Sequence, residues 1–138
     1  MDKENKLTPE LPSGFEDRWG KKLLLKKKLL KAIENNFIKF GAEAIETPTY
    51  EISRNIGSFL AEDDSNPMSG IFSFKNGDEN LTARYDLSSP LARFYAQNNQ
   101  ELPSIFKRYQ IQNVFRNEKA GNGRYREFLQ ADFDIVGN

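Results

Sequence analysis

The sequence predicts an α+β fold in which a mostly antiparallel sheet is flanked by helices. Three observations support this prediction: an amphipathic helical pattern over residues 13–40, a hairpin signal at Asn76-Gly77, and strand-like segments that fill residues 104–136. A helix followed by mostly antiparallel strands with one further helix is an α+β layout. At 138 residues the chain accommodates one domain with a hydrophobic core, and we treat residues 1–11 as a flexible polar lead of that domain.

The first helix is predicted to begin at Ser13, because Ser13 and Glu16 have the spacing of a capping box. The helical pattern consists of apolar residues that recur every three, four or seven positions: Trp19, Leu23, Leu30, Ile33, Phe37 and Phe40. Lysines occupy the other faces, and we interpret them as the solvated side of an amphipathic helix rather than as a nucleic-acid site. Gly41 predicts the C-terminal end of this helix.

A short strand is predicted next, over residues 42–47. It ends at Pro48, whose missing N–H prevents further ladder pairing. Residues 52–70 are irregular, and we interpret them as a mobile connection or lid.

A hairpin and a second helix follow. The Asn76-Gly77 pair predicts a tight turn between strands 71–74 and 80–85, because both turn residues tolerate positive φ. Ser89-Pro90 has the pattern of an N-cap followed by Pro at the first helical position, and this helix is predicted to end near Asn98.

The end of the chain is predicted to be strand-rich. The predicted strands cover residues 104–111, 113–118 and 127–136. The last two are joined by a loop at 119–126 that contains Gly121 and Gly123, and glycines there would let the backbone approach a ligand closely.

The composition excludes several classes of site. The chain has no Cys and no His, which excludes Ser-His and Cys-His nucleophilic pairs, disulfides and ordinary zinc sites. Chemistry must therefore depend on Arg, Lys, carboxylates and amides, which suit the stabilisation of charge. The first ten residues are polar, and no apolar run is long enough to span a bilayer, so we expect a cytoplasmic protein with no membrane segment.

Charged side chains cluster towards the C-terminal end. Between residues 107 and 126 basic residues outnumber acids, and Glu118 is the single acid, so this region would attract phosphates or carboxylates. Taken alone, such a cluster is better explained as a solvated basic loop.

Alternate residues of a strand share one face, so the predicted strands carry polar faces. These faces are formed by Arg84 and Asp86, by Arg116 and Glu118, and by Gln130, Asp132 and Asp134. Joined in one sheet, they would hold a zwitterion beside a phosphate chain. Arg116 and Arg124 suit phosphate or carboxylate, while Asp86 and Asp134 suit an ammonium group. The alternative is a set of solvated strands with surface ion pairs, each contributing about 0–1 kcal/mol.

Three segments resemble the signature motifs of class II aminoacyl-tRNA synthetases. Residues 115–118 (Phe-Arg-Asn-Glu), residues 123–128 (Gly-Arg-Tyr-Arg-Glu-Phe) and Gln130 resemble motif 2, in the form found in histidyl-tRNA synthetases. The helix and strand that meet at residues 41–48 resemble motif 1, the dimer interface of the class. Residues 83–88 (Ala-Arg-Tyr-Asp-Leu-Ser) resemble the histidine-binding segment of the family.

The resemblance covers residues 12–137 and implies an incomplete class II catalytic core that carries motifs 1 and 2 only. It implies that Arg116 is catalytic and contacts both the histidine carboxylate and the α-phosphate of ATP. The implied ATP-binding residues are Arg116, Glu118, Arg124 and Phe128, and Glu118 is expected to associate with Mg²⁺. The implied histidine-binding residues are Asp86, Ser88, Arg116, Gln130 and Asp134.

The function implied by the resemblance is that of a histidine–tRNA ligase. Such an enzyme uses ATP to activate histidine as histidyl-adenylate and transfers it to tRNA(His). A homodimer is implied through the helix–strand region that ends at Pro48. Because motif 3, the arginine-bearing loop of histidyl enzymes and the anticodon-binding domain lie outside this chain, we expect it to lack measurable ligase activity alone. Histidine-dependent exchange between ATP and pyrophosphate by the 138-residue chain would contradict that expectation.

Four positions depart from the family pattern. Asp86 and Asp134 stand where many relatives have Glu, which keeps the charge but shortens its reach. Leu129 stands where many have His, and Ser13 replaces an Arg often found before Gly14.

Three alternatives to the ligase remain open. The first is the regulatory subunit of ATP phosphoribosyltransferase in histidine biosynthesis, a synthetase-like module that binds histidine without ligase activity. The presence of Arg116, Glu118 and Arg124 argues against it, since a regulator need not keep groups that bind ATP. The second is a class II synthetase for another amino acid, such as proline or threonine. The third is a generic α+β binding domain, for which neither ATP nor histidine would shift the melting temperature at millimolar concentration.

Overall fold

The computed structural model describes residues 7–56 and 70–137. Within these ranges the chain forms an α+β fold, as predicted from the sequence. Its elements are α1 (Gly20–Lys39), β1 (Glu43–Ala44), β2 (Tyr50–Ile52), β3 (Ser73–Asn76), β4 (Glu79–Ala83), α2 (Ser88–Asn98), β5 (Ile105–Phe115) and β6 (Glu127–Gly137). No helix in the described ranges is long and apolar enough to cross a membrane. The predicted lead lies partly outside these ranges, and its described residues, 7–11, are exposed and have no regular structure.

The strands form two three-stranded sheets. In the first sheet the order is β1-β5-β6, with β1 parallel to β5 and β6 antiparallel to it. The second sheet is antiparallel throughout, with the order β2-β4-β3. The two sheets meet where the Phe115 N–H donates to the Arg84 carbonyl at 2.9 Å. The prediction of a mostly antiparallel sheet is confirmed, with β1 as the parallel exception.

The first sheet is covered by one helix on each face. On one face Phe37 of α1 packs against Tyr109 and Phe133, with ring centroids 5.7 and 5.6 Å apart. On the other face Phe94 of α2 packs against Phe106, with ring centroids 6.1 Å apart. The remainder of that second face carries polar side chains and forms the candidate site.

The start of α1 differs from the prediction. The helix begins at Gly20 with Trp19 at the N-cap, and no side chain caps it. Gly14 instead adopts φ 85° and its carbonyl accepts a hydrogen bond from the Arg126 N–H at 2.8 Å. The predicted capping box at Ser13 is therefore wrong, because a tertiary contact holds this segment in a turn. The predicted end is confirmed: Gly41 has φ 77° and donates to the Ile38 carbonyl at 2.9 Å.

The segment after α1 pairs less than predicted. The strand proposed at 42–47 is regular only over Glu43–Ala44, although the Ile45 N–H still donates to the Tyr109 carbonyl at 3.0 Å. The Thr47 N–H donates to the Gln112 side-chain oxygen at 3.0 Å, so a side chain replaces the ladder there. Strand β2 begins two residues after Pro48 and was not predicted. Most of the proposed lid, residues 57–69, lies outside the described residues.

The hairpin is confirmed, with its turn one residue later than predicted. Asn76 pairs with Glu79, so the two turn residues are Gly77 and Asp78. Gly77 has φ 60°, and Asn76 stays in the strand. A two-residue turn with glycine at its first position is one of the favoured hairpin turns.

Helix α2 begins at Ser88 rather than after Ser89, and it ends at Asn98 as predicted. The Asp86 carboxylate accepts a hydrogen bond from the Ser89 N–H at 3.1 Å, as an N-cap side chain does. The predicted Ser89 cap is therefore wrong, because Asp86 supplies the acceptor one turn earlier.

Strand β5 is continuous, whereas two strands, 104–111 and 113–118, were predicted. It pairs with β6 without interruption from Ile105↔Gly137 to Phe115↔Glu127. Gln112, which lies between the two predicted strands, continues the ladder by pairing with Gln130. Arg116 and Glu118 consequently lie beyond the strand, in the loop that leads to β6.

Candidate functional site

A polar surface lies on one face of β5 and β6. Its six members are paired across the two strands: Arg108 with Asp134, Gln110 with Asp132, and Gln112 with Gln130. The Gln130 amide donates to the Asp132 carboxylate at 3.4 Å, as expected for neighbours on one face. The predicted common face of Gln130, Asp132 and Asp134 is thus confirmed.

Arg108 lies at the centre of this surface and is fully buried. Its Nη2 atom is 2.5 Å from an Asp134 oxygen and 3.9 Å from an Asp132 oxygen. Nη2 also donates to the Leu87 carbonyl at 3.4 Å, and Nη1 donates to Gln110 at 3.3 Å. Arg108 belongs to the basic stretch at residues 107–126 but was not predicted to be a site residue. Finding it would have required the register between β5 and β6.

The carboxylates of this surface influence one another. Burial raises the pKa of Asp132, Arg108 opposes that rise, and the charges of Asp134 and Asp86 add to it. Burial lowers the pKa of Arg108, while Asp134, Asp132 and Asp86 raise it. Asp86 lies on a different segment, next to Leu87, whose carbonyl accepts a hydrogen bond from Arg108. We define Asp86, Asp132 and Asp134 as the acidic cluster. Ser88 follows at the start of α2 and is exposed.

Arg116 joins this cluster to the loop beyond β5. Its guanidinium lies 4.5 Å from the Tyr85 ring centroid and 5.1 Å from the Phe128 ring centroid. Its Nε also donates to the Tyr85 carbonyl at 3.3 Å. Tyr85 precedes Asp86 in the chain, and Phe128 shares a face of β6 with Gln130. Arg116 thus contacts residues next to Asp86 in the chain and on the Gln130 face of β6, although neither Asp86 nor Arg116 lies in a strand as predicted.

A groove opens next to Arg116. Its volume is about 550 Å³, and its lining includes Arg116, Glu118, Gly123, Arg124 and Phe128. All four residues expected to bind ATP are among these, together with one of the two loop glycines. Gly123 has φ 72°, which the turn between β5 and β6 requires.

Glu118 and Arg124 contact each other in this groove. Arg124 donates to Glu118 through Nε at 2.8 Å and also through Nη2. The Tyr85 hydroxyl donates to the second Glu118 oxygen at 3.4 Å. The hydrogen bonds from Arg124 hold the pKa of Glu118 below its ordinary value, with contributions from Tyr85 and Arg116. Glu118 is therefore ionised at neutral pH, and in this structure both of its oxygens accept hydrogen bonds.

Arg126 connects the loop between β5 and β6 to the N-terminal segment. Its Nε donates to the Glu118 carbonyl at 2.8 Å, and its Nη1 donates to the Ser13 carbonyl at 3.1 Å. Gly14 lies against the same side chain, since a Cβ placed there would be 2.7 Å from Cγ of Arg126. The segment before α1 thus helps to shape the groove.

Replacing Gly14 with Ala is expected to lower the free energy of unfolding more than replacing Gly20 does. Both glycines have positive φ, so each Ala costs about 1–2 kcal/mol of backbone strain. Nothing lies within 4 Å of a Cβ built at Gly20, whereas Arg126 must move at Gly14. Urea unfolding of the two variants measures the difference. Equal losses would show that the Gly14–Arg126 contact contributes nothing.

In the parts of the chain that the structure describes, no group of three or more acidic side chains forms a metal-binding cluster. Glu118 is a single carboxylate beside the groove. That arrangement suits Mg²⁺, which commonly takes one or two protein carboxylates together with substrate phosphates and water.

Comparison with known proteins identifies the relatives of this chain. It is 75% identical over 138 residues to the histidine–tRNA ligase of Pelagibacter ubique, covering 100% of this chain and 30% of that protein. By sequence, the chain belongs to the histidyl-tRNA synthetase family. The histidine–tRNA ligase of Methylocella silvestris is 45% identical over 140 residues, covering 97% of this chain and 28% of that protein. The chain therefore spans about 30% of the length of the curated relatives it matches. No family profile matches it.

Solved structures agree with this histidyl-tRNA synthetase assignment. A histidyl-tRNA synthetase from a Nostoc species has a TM-score of 0.75 and 30% identity, over 94% of this chain and 29% of that one. An ATP phosphoribosyltransferase regulatory subunit/histidyl-tRNA synthetase from Bacillus halodurans has a TM-score of 0.79. Its identity is 24%, over 100% of this chain and 34% of that one, so this likeness shows the fold alone. The predicted resemblance to class II synthetases is confirmed.

Proposed function

We propose that this chain supplies the motif 1 and motif 2 part of a histidine–tRNA ligase, which binds histidine and ATP for the formation of histidyl-adenylate. The observation that carries the proposal is the position of Arg116, between an acidic cluster and a groove lined by the four expected ATP-binding residues. A site that joins an amino acid to a nucleotide must hold the two substrates next to each other.

The acidic cluster suits the amino end of histidine. Asp86 and Asp134 supply carboxylates, and Ser88 lies next to Asp86 in the chain. The side-chain oxygen of Gln130 is buried and has no hydrogen-bond partner among residues 7–56 and 70–137. Buried polar atoms are rarely left without a partner, and a bound ammonium group would provide one. The histidine carboxylate would then point towards Arg116.

The groove suits ATP. Arg116 and Arg124 would hold phosphate oxygens, and the Phe128 ring would stack on adenine. Arg124 is bound to Glu118 in this structure, so it would exchange that carboxylate for the phosphates. Glu118 would then be free to hold Mg²⁺, which neutralises phosphate charge when bound.

The arrangement fits a reaction that needs no general base. The carboxylate of histidine is ionised at neutral pH and attacks the α-phosphorus of ATP directly. A bond forms between that carboxylate oxygen and phosphorus, the bond to the bridging oxygen breaks, and pyrophosphate leaves with the electron pair. Arg116 would contact both the attacking carboxylate and the α-phosphate, which positions them and stabilises the developing charge. Transfer of the histidyl group to tRNA(His) would follow.

We further infer a homodimer that forms through α1 and the segment ending at Pro48. None of the α1 residues is buried, and four large apolar side chains at or near its start are exposed. These are Trp19, Leu24, Leu25 and Leu29. A second copy covering them would remove a large apolar surface from water. We also propose a cytoplasmic location, as predicted from the sequence.

Binding measurements test the proposal. Histidine and ATP–Mg²⁺ are titrated separately into the 138-residue chain and followed by amide chemical shifts, with proline as the competing amino acid. We expect histidine to perturb residues 130–134 and ATP to perturb residues 116–128, and proline to perturb neither. Preferential binding of proline would indicate a different class II synthetase. Binding of neither histidine nor ATP at millimolar concentration would support a generic α+β domain.

A further inference from the structure

Arg108 lies beneath the acidic cluster rather than within it. Its side chain has 0% exposure, while those of its partners Asp132 and Asp134 are 19% and 41% exposed. Each carboxylate therefore has one side towards the buried guanidinium and another towards solvent. A ligand that approached this face would meet the carboxylates first and would not touch Arg108.

One guanidinium connects three segments of the fold. It contacts Gln110 on its own strand, Asp132 and Asp134 on β6, and the Leu87 carbonyl next to Asp86. Two acids of the cluster, Asp132 and Asp134, are thus held directly by one buried cation, and the third, Asp86, adjoins a residue that the same cation contacts. Arginine suits this task, because its planar fork of donors holds several acceptors in fixed directions.

The charge balance explains why the cluster needs such a cation. The charges of Asp134 and Asp86 act on Asp132, and burial already disfavours the charged form of Asp132. Like charges close together keep at least one acid protonated unless a cation offsets them. Arg108 offsets part of the charge and leaves the cluster with a net negative charge. A cluster of that sign favours a ligand with an ammonium group and further N–H donors.

We propose that Arg108 is a positioning residue for histidine recognition, which holds Asp134 and Asp132 with their outer oxygens directed at the substrate. This inference rests on the proposed function and adds Asp132 to the residues that face histidine. Arg108 does not touch the substrate and acts through the two carboxylates.

The test replaces Arg108 with Gln, which keeps hydrogen-bonding capacity and removes the charge. Histidine and ATP–Mg²⁺ affinities are measured by calorimetry, and the pKa of Asp132 is followed by NMR of its side-chain carboxyl carbon. We expect histidine affinity to fall by about tenfold or more, a loss of about 1.4 kcal/mol, and ATP affinity to stay within about twofold. The pKa of Asp132 is expected to rise, because Arg108 lowers it in the native protein. A purely structural Arg108 would weaken histidine and ATP binding to the same extent.

A second pair of variants covers the case in which the Gln variant does not fold. Arg108→Lys retains the positive charge but not the fork, and Asp132→Asn removes one partner while leaving Arg108 with Asp134. Each is expected to weaken histidine binding by about threefold or more with ATP binding unchanged.

The outcomes separate this inference from the proposed function. If the native chain binds histidine and the folded variants bind it equally well, the positioning role is wrong and the proposed function stands. If the variants lose histidine and ATP binding together, the role is structural and the inference is wrong. If the native chain itself binds ATP but no histidine, the proposed function fails and the inference fails with it.

Discussion

Replacing Arg116 with Gln is expected to weaken the binding of both histidine and ATP. Arg116 lies between the acidic cluster and the groove, with its guanidinium near the rings of Tyr85 and Phe128. It is proposed to hold the histidine carboxylate and the α-phosphate, and a hydrogen bond to a charged group contributes about 1.5–3 kcal/mol. We therefore expect each affinity to fall by about tenfold to hundredfold, measured by calorimetry with the two ligands separately.

Two controls make this experiment decisive. Arg54→Gln removes an exposed arginine from a different surface, where it lines a depression with Ile52 and Asn80. This variant should bind both ligands as the native chain does. Arg124→Gln should weaken ATP binding alone, since Arg124 lines the groove but is not among the residues of the acidic cluster. An Arg116→Gln protein that loses only one ligand would restrict Arg116 to one half of the site.

The parts of the fold that depend on local chemistry were predicted from the sequence. Gly41 ends α1 because only glycine readily adopts the conformation needed there, and the hairpin forms because Gly77 provides the same freedom. The errors occurred where a distant partner decides the structure. The Ser13 capping box did not form because Arg126, from the other end of the chain, binds the carbonyls of Ser13 and Gly14. Strand β2 has only three residues and depends on pairing with β4.

The same distinction applies to the candidate site. Strand alternation was enough to place Gln130, Asp132 and Asp134 on one face, because that pattern is local. It could not show that Arg108 lies opposite Asp134, because that requires the register of two strands joined by a loop. Nor could alternation predict that Arg116 lies near Phe128. Arg116 lies outside any strand, and its position depends on the hydrogen bond from its N–H to the Arg126 carbonyl. The resemblance to a family selected Arg116 and Phe128, and the structure places the Arg116 guanidinium 5.1 Å from the Phe128 ring centroid.

The ion pair between Arg93 and Glu51 is expected to influence the position of Asp86. Asp86 precedes α2, and α2 is fastened to β2 by Arg93, whose guanidinium donates two hydrogen bonds to Glu51 at 2.7 and 2.8 Å. Glu51 is 5% exposed. The pair therefore links the second sheet to the helix whose first turn is capped by a proposed histidine-binding residue.

Replacing Arg93 with Met is expected to lower the free energy of unfolding by about 2–4 kcal/mol, because it leaves the Glu51 carboxylate buried without its main partner. We place the loss slightly below that of a fully buried pair, since the Arg93 side chain is 22% exposed and Glu51 also lies near Arg84. Urea unfolding followed by circular dichroism measures the change. If the pair acts as proposed, the variant should also bind histidine more weakly, as α2 loosens around Asp86.

The matched control neutralises Glu51 in addition to replacing Arg93. The double variant Arg93→Met/Glu51→Gln should recover a large part of the lost stability, because a neutral amide is less costly to bury than an unpaired carboxylate. A double variant as unstable as Arg93→Met would mean that the loss comes from the packing of the Arg93 side chain rather than from its charge. The double variant could also recover stability and still bind histidine weakly. That result would show that the two hydrogen bonds from Arg93, and not the burial of charge, set the position of α2 and of Asp86.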